Sequence, residues 1–220
     1  MMANNIVIVG AGGFALELLG YLEHEQANGR YTEYHLKGVV DDSVENFDKF
    51  VNIYDLPYLG TVTDYKPSTG DVFWIAIGSQ PSRRNVIELL KEKNASFFTF
   101  VSSLSIVNRT SEIGVGSIVA PFCIVNANVS LGDFALMNSY SAIGHDSTVG
   151  THAILYPYAA INGSCRVGSE LIMGTRATIF PGTKVGSRCV VTTHSYIKND
   201  KPDDRFIHLK AKEIDLENRL

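Results

Sequence analysis

From Val101 onward the hydrophobic positions of this chain recur every six residues without a break. The series runs Val101, Val107, Ile113, Val119, Val125, Leu131, Met137, Ile143, Val149, Leu155, Ile161, Val167, Met173, Ile179, Val185, Val191 and Ile197, which is 17 aliphatic side chains. Val, Ile, Leu and Met make up about 27% of the residues, so chance would give such a run with a probability of about 10⁻¹⁰. Four residues after each aliphatic position stands a second regular site, and it is small: Ser117, Cys123, Ala135, Ser141, Ser147 and Ala153 begin a list that Val129 and Leu171 interrupt. Glycine often follows the aliphatic residue directly, as at Gly114, Gly132, Gly150, Gly168 and Gly186. Neither a helical period of 3.6 nor a strand period of two yields six. The pattern predicts a parallel β-helix of hexapeptides, each a short strand and a corner, with the aliphatic side chain inside and the small one at the turn.

The first hundred residues follow another rule. Ile6-Val7-Ile8-Val9 reads as a buried strand that runs into Gly10-Ala11-Gly12-Gly13-Phe14-Ala15 and then into the helical pattern Leu16, Leu18, Leu19, Leu22. In that setting the glycines permit a tight turn, and the N–H groups that open the helix can hold phosphate oxygens. Further strands are expected at Leu36 to Val40, ending in Asp41-Asp42, and at Val72 to Ile77, ending in Gly78. Together they predict a small α/β, Rossmann-like domain with its ligand at the C-terminal ends of the strands. About 100 residues are too few for two mononucleotide-binding halves, and the repeat offers no hydride-transfer chemistry, which argues against a NAD dehydrogenase. The division expected is 1–99, 100–198 and a charged tail 199–220.

Composition narrows the partners. Lysine and arginine number 19 against 23 aspartates and glutamates, a net charge of −4 without basic runs, so neither nucleic acid nor an anionic membrane is an expected partner. Three scattered cysteines make no disulfide framework, and the apolar N-terminal run lacks a positive side chain before its glycines, so a reducing, cytoplasmic setting is expected.

The hexapeptide region resembles the left-handed parallel β-helix acyltransferases, with three hexapeptides to a turn and therefore between five and six turns here. The chain as a whole resembles the bacterial sugar acetyltransferases of the sialic acid O-acetyltransferase and nucleotide-4-amino-sugar N-acetyltransferase group. The motifs that carry the resemblance are Gly10-Ala11-Gly12-Gly13, Asp41-Asp42, Ile75-Ala76-Ile77-Gly78 with Arg83 nearby, and Asn138-Ser139 leading to Gly144-His145-Asp146. It implies acetyl-CoA as acyl donor and a homotrimer with active sites in the clefts between subunits, while the histidines and carboxylates show no ligand spacing for zinc, so no metal is expected. It also implies Gly12, Gly13, Phe14, Asp41, Asp42 and Gly78 for the nucleotide-sugar acceptor, His145 as general base with Asp146 raising its basicity, and His152, Thr175 and Thr193 for acetyl-CoA. The chain departs from the family at Phe14, where many relatives carry histidine, at Gly144, where an acid is frequent, and in a tail without Gly-x-Pro-Ala-Lys.

The repeat frame tests these assignments. His145 lies two residues past Ile143, a slot shared with Pro121, Pro157, Thr175, Pro181 and Thr193, and therefore points outward. Thr175 and Thr193 are 18 residues apart and stack on one corner, about 4.8 Å apart. Acetyl transfer needs a base of near-neutral pKa to take the acceptor's proton, and a histidine followed by an aspartate supplies one. Cys123, Cys165 and Cys189 all occupy the small inward site, where a thiol is packed and inert, so direct transfer is expected rather than an acyl-enzyme. N-acetylation of a nucleotide-linked 4-amino sugar is the expected activity. O-acetylation of a glycan hydroxyl and a catalytically silent, nucleotide-sugar-binding scaffold are its alternatives.

Overall fold

A computed structural model describes residues 4–209. The hexapeptide frame becomes strands of two residues, each ending on the aliphatic side chain, arranged in parallel sheets of seven, six and five strands. Paired rungs are 18 residues apart, as in Ile143 with Ile161, Val149 with Val167 and Leu155 with Met173. Three hexapeptides therefore close one turn of a triangular prism. From Val119 to Ile197 the aliphatic positions are buried, as are all the small sites that follow them. Val101, Val107 and Ile113 are only half-buried because they line the open end of the first turn. The third residue of each corner takes a left-handed conformation, with φ of 57–65° at non-glycine residues from Phe122 to His194. The corner after the charged rungs (Glu112–Ile113 and its successors) needs glycine for another reason. A Cβ at Gly132 would stand 2.7 Å from the backbone of Gly150, one turn on.

The N-terminal domain is a parallel sheet of β1 (Asn4–Val9), β2 (Tyr34–Val40), β3 (Asp71–Ile75) and β4 (Ser96–Phe97) in the order β2-β1-β3-β4. Its helices are α1 (Gly13–Ala27), α2 (Val44–Val51) and α3 (Gln80–Glu92). The sequence pattern had not marked α2, whose start is fixed by Ser43 Oγ accepting from Asn46 N–H.

The outward residue just before each inward aliphatic decides what each prism face meets. On one face it is Ile118, Leu136 and Ile154, and these are buried with Leu18, Leu19 and Leu22 of α1. Each such side chain contributes about 1.5–3 kcal/mol by leaving water. On the second face it is Ile106, Ile124, Ala142, Ala160, Thr178 and Tyr196; on the third it is Glu112, Ser130, Thr148, Arg166 and Lys184. The first is therefore the docked face, the second apolar and aromatic, the third polar.

Polar groups fix the seam between domain and prism. Glu25 of α1 is fully buried and accepts hydrogen bonds from Ser102 Oγ, Ser103 N–H and Arg30. Tyr31 Oη pairs with both backbone groups of Val101, which caps that edge strand. Arg83 is buried across the seam, donating to Ile75 O and Gly116 O, and burial pushes its pKa down to about 10. Arg84 pairs with Glu170 at 2.8 Å. In the segment read as the tail, Phe206–Ile207 stacks on Val190–Val191 as one more rung, 16 residues on rather than 18. The rest of that tail, residues 210–220, lies outside the described residues. Among the described residues no helix is long and apolar enough to cross a membrane.

Candidate active site

His145 sits on the corner between the apolar face and the polar face, the prism edge that lies opposite the docked face. Its side chain is 65% exposed, as the frame requires of an outward slot. A carboxylate can only accept, so His145 Nδ1–H donates to Asp146 Oδ2 at 2.7 Å, and Nε2 is left with its lone pair. Asp146 is itself held in place. Asn128, one turn earlier, donates to Oδ1 at 2.9 Å, and Arg166 donates to the Asp146 carbonyl at 2.6 Å. The hydrogen bonds from Asn128 and His145 hold the Asp146 carboxyl below its ordinary value, so it stays ionised beside the imidazole. Such a pair fixes the ring's tautomer and orientation.

The ring lies over Gly163, its counterpart one turn on. A Cβ at Gly163 would be 2.7 Å from His145 Nε2. Together with Asn126, Asn162, Ser164, Pro181 and Gly182, these residues line an open groove of about 590 Å³. Asn126 and Asn162 spend their amide N–H groups on Ile143 O and Ile179 O, which ties successive turns beneath the groove. Gly163 and the asparagines escaped the sequence reading. The register was the available signal, since Gly163 is 18 residues beyond His145.

The other residues assigned from sequence do not gather around His145 within one chain. Thr175 and Thr193 lie on the corner between the docked and apolar faces, and His194 N–H donates to Thr175 O, so the two turns are adjacent as expected. His152 lies on the third corner, between the polar and docked faces. Its ring stacks on Phe134 at 5.2 Å, only 11% of its side chain is exposed, and Nε2 is 3.9 Å from Glu88 of α3. Burial first, and then the positive charge of Lys91, lower its pKa, so it is neutral in the fold. His152 is thus an internal residue of the domain seam and stands on a different edge from the two threonines.

The glycine turn has the expected form. Gly10 adopts φ +101°, and a Cβ there would press on Ile77 and Ala76. At Gly12, Gly13 and Gly78 a Cβ would meet nothing within 4 Å, which leaves open space before the N-terminus of α1. That terminus carries no side-chain cap and no acid in its first turn, so its positive end faces the opening. Asp41 also has a structural role. Its carboxylate accepts from Ala11 N–H at 2.6 Å and Ser43 N–H at 2.7 Å, which pins the glycine turn to the end of β2. Asp42 accepts from Val62 N–H with one oxygen. Asp41, Asp42, Gly10, Asn46 and Ser82 border a cavity of about 320 Å³, and Gly12, Gly13 and Lys49 border a second of about 210 Å³. Phe14 is half-buried and packs on the apolar cluster beneath α1. Tyr156 of the prism donates to Gly78 O at 3.3 Å, linking this end of the sheet to the docked face.

Cys123, Cys165 and Cys189 are buried and unpaired at the inward site, and burial raises the pKa of Cys123 and Cys165. They are packing groups, as the frame requires.

Residues 5–90 match the PglD N-terminal domain. Among curated proteins the chain is similar to UDP-N-acetylbacillosamine N-acetyltransferase of Bacillus subtilis (strain 168), 30% identical over 116 residues, or 52% of this chain and 50% of that protein. The match thus spans about half the length of that relative. Among solved structures the fold is that of the acetyltransferase domain of PglB from Neisseria gonorrhoeae, with a TM-score of 0.75 and 24% identity over 91% of this chain and 94% of that one. It is equally that of PerB from Caulobacter crescentus, solved with CoA and GDP-perosamine, with a TM-score of 0.79 and 22% identity over 96% and 99% of the two chains. The chain therefore joins a PglD N-terminal domain to a parallel β-helix, and the resemblance to the bacterial sugar acetyltransferases drawn from its motifs is borne out.

Proposed function

We propose that this protein is an acetyl-CoA-dependent acetyltransferase acting on the amino group of a nucleotide-linked 4-amino sugar. The observation that carries this reading is the exposed His145, with its Nδ1 proton on Asp146 and Nε2 free above Gly163 in a groove. The names of the relatives support the chemistry: one is an N-acetyltransferase of a UDP-linked sugar, and another was solved with CoA and a GDP-linked sugar.

In the reaction the acceptor nitrogen attacks the thioester carbonyl as His145 Nε2 takes its proton. The tetrahedral intermediate then expels the CoA thiolate, which receives that proton from Nε2. The products are the amide and free CoA, and His145 returns to its starting form. Asp146 holds the ring and stabilises the imidazolium formed midway. A cysteine acyl-enzyme is not needed, and the buried thiols are out of reach.

We place the reaction between two copies of the chain, in a homotrimer. Within one copy His145 occupies the edge opposite the docked face, whereas the glycine turn, Thr175 and Thr193 are on the other side of the prism. A neighbouring prism is what brings the base of one chain to the acceptor domain and threonines of another. Gly12, Gly13, Asp42 and Gly78 are the groups we assign to the nucleotide sugar, with Asp41 shaping the turn; Thr175 and Thr193 we assign to the pantetheine arm. The three unpaired thiols suit a reducing cytoplasm.

The test is His145→Ala, assayed by thiol release from acetyl-CoA over a panel of UDP-, dTDP- and GDP-linked amino sugars. Loss of a general base costs about 10²–10⁴-fold in turnover, with sugar binding by calorimetry retained. Equal thiol release by both proteins with an accepted sugar would refute the assignment.

A further inference from the structure

The groove beside His145 continues toward the C-terminal end of the prism. Its walls step from Gly144 and Asn126 to Asn162, Gly163 and then Pro181. One turn beyond Asn162 the same corner column carries Phe180, and one turn beyond Phe180 it carries Lys198, because Ile179 pairs with Ile197. Lys198 Nζ lies 4.9 Å from the centre of the Tyr196 ring and 5.2 Å from that of Phe180. Two aromatic faces therefore hold one ammonium group in place at a solvent-exposed position. Among the described residues no carboxylate comes within 4.0 Å of it. The groove itself is lined from Asn126 to Gly182. Lys198 stands beyond that end, in the same column as Gly144, Asn162 and Phe180.

The spacing gives that charge a ligand. From Gly144 to Lys198 is three turns, about 14 Å at strand spacing. A pantetheine arm has 13 bonds between thioester sulfur and first phosphorus, and an extended chain advances about 1.15 Å per bond, or roughly 15 Å. With the thioester at His145, the diphosphate of the donor falls beside Lys198. We propose that Lys198, pinned over Phe180 and Tyr196, binds the diphosphate of the acyl-CoA donor and so sets how far the thioester reaches along the groove. This rests on the acetyl-CoA reading above and adds to it the residue that distinguishes CoA from a bare pantetheine thioester.

The experiment is Lys198→Met, which keeps a hydrocarbon arm over the rings and removes the charge. Calorimetry measures the Kd for CoA, for dephospho-CoA and for pantetheine, and steady-state assays use the corresponding acetyl thioesters. The variant is expected to bind CoA and dephospho-CoA about tenfold more weakly, with KM rising and kcat unchanged, while its weak binding of pantetheine is unaltered; Lys198→Arg restores CoA binding. Equal weakening toward CoA and pantetheine would mean that Lys198 only shapes the groove, and the proposal falls. Weakening toward CoA but not dephospho-CoA would move the contact to the 3′-phosphate and overturns it as well. If the variant binds CoA as tightly as the unaltered protein, Lys198 is wrong while the acetyltransferase reading stands. If the unaltered protein binds no CoA, both fall.

Discussion

His145 and His152 stand at outward corner positions of the same prism, seven residues apart, and meet opposite fates. The first projects from the edge farthest from the N-terminal domain and keeps its Nε2 for a substrate proton. The second, on an edge beneath α3, is stacked on Phe134 with Glu88 and Lys91 around it and is held neutral by burial. The hexapeptide frame says only that a side chain leaves the core. Whether it then meets water or protein depends on which face carries Ile118, Leu136 and Ile154, because that face takes the other domain.

After the loss of His145 itself, the largest effect expected on this contrast comes from Gly163. Gly163→Ala puts a methyl 2.7 Å from Nε2 and must turn the His145 ring away. A displacement of about 1 Å at a reacting group costs on the order of 10²-fold, so kcat/KM should drop by about that factor. The clash is with a side chain, so the melting temperature should stay within a few degrees. Gly168→Ala makes the opposite comparison, because its Cβ would strike the backbone of Gly186 and Ser187. There stability should drop, with the activity of the folded fraction retained. Equal thermal losses in the two variants would remove the distinction between a site glycine and a packing glycine.

These differences mark how far the sequence can be read. A period of six is local and repeats itself, so the prism, its inward residues and the outward direction of His145 were all legible, and so was the inert placing of the cysteines. The strand and glycine turn at Ile6 to Ala15 were legible for the same reason. What escaped depends on contacts between distant segments. Asp41, read as a ligand group, also binds the Ala11 and Ser43 amides, and Arg83 proved to span the domain seam. Helix α2 was missed because it has only eight residues, although Val44, Phe47, Phe50 and Val51 fall at helical spacing.

A smaller effect separates the two histidines by stability. His152→Ala removes a buried stack worth about 0.5–1.5 kcal/mol beyond its area, so the protein should lose roughly 1–2 kcal/mol in chemical denaturation while keeping kcat. His145→Ala should do the reverse. Should His152→Ala lose turnover at unchanged stability, the seam assignment is wrong and His152 returns to the cofactor.

The finest test is pH, since the seam holds two groups whose shifts act in separate windows. His152 is driven below the ordinary value near 6.5 by burial and by Lys91, with Arg83 adding to the effect and Glu88 and Glu170 opposing it. The unfolded chain therefore binds a proton that the folded chain refuses, and stability falls as pH drops below about 6.5. Burial alone would raise Glu25, but the hydrogen bonds from Ser103 and Ser102, with the charge of Arg30, hold its pKa below the ordinary carboxylate value. Its contribution is present above that ordinary value and is lost as pH falls through the lowered one. Two declines are expected in a plot of unfolding free energy against pH, one beginning near 6.5 and one below about 4.5. His152→Phe, which keeps a ring against Phe134, should flatten the first and leave the second, whereas Glu25→Gln should make the second shallower, the lowered Asp71 carboxyl still contributing to it, and lower the plateau. If His152→Phe leaves the first decline intact, the proton belongs to another histidine, and the contrast between the covered edge and the open one must be redrawn.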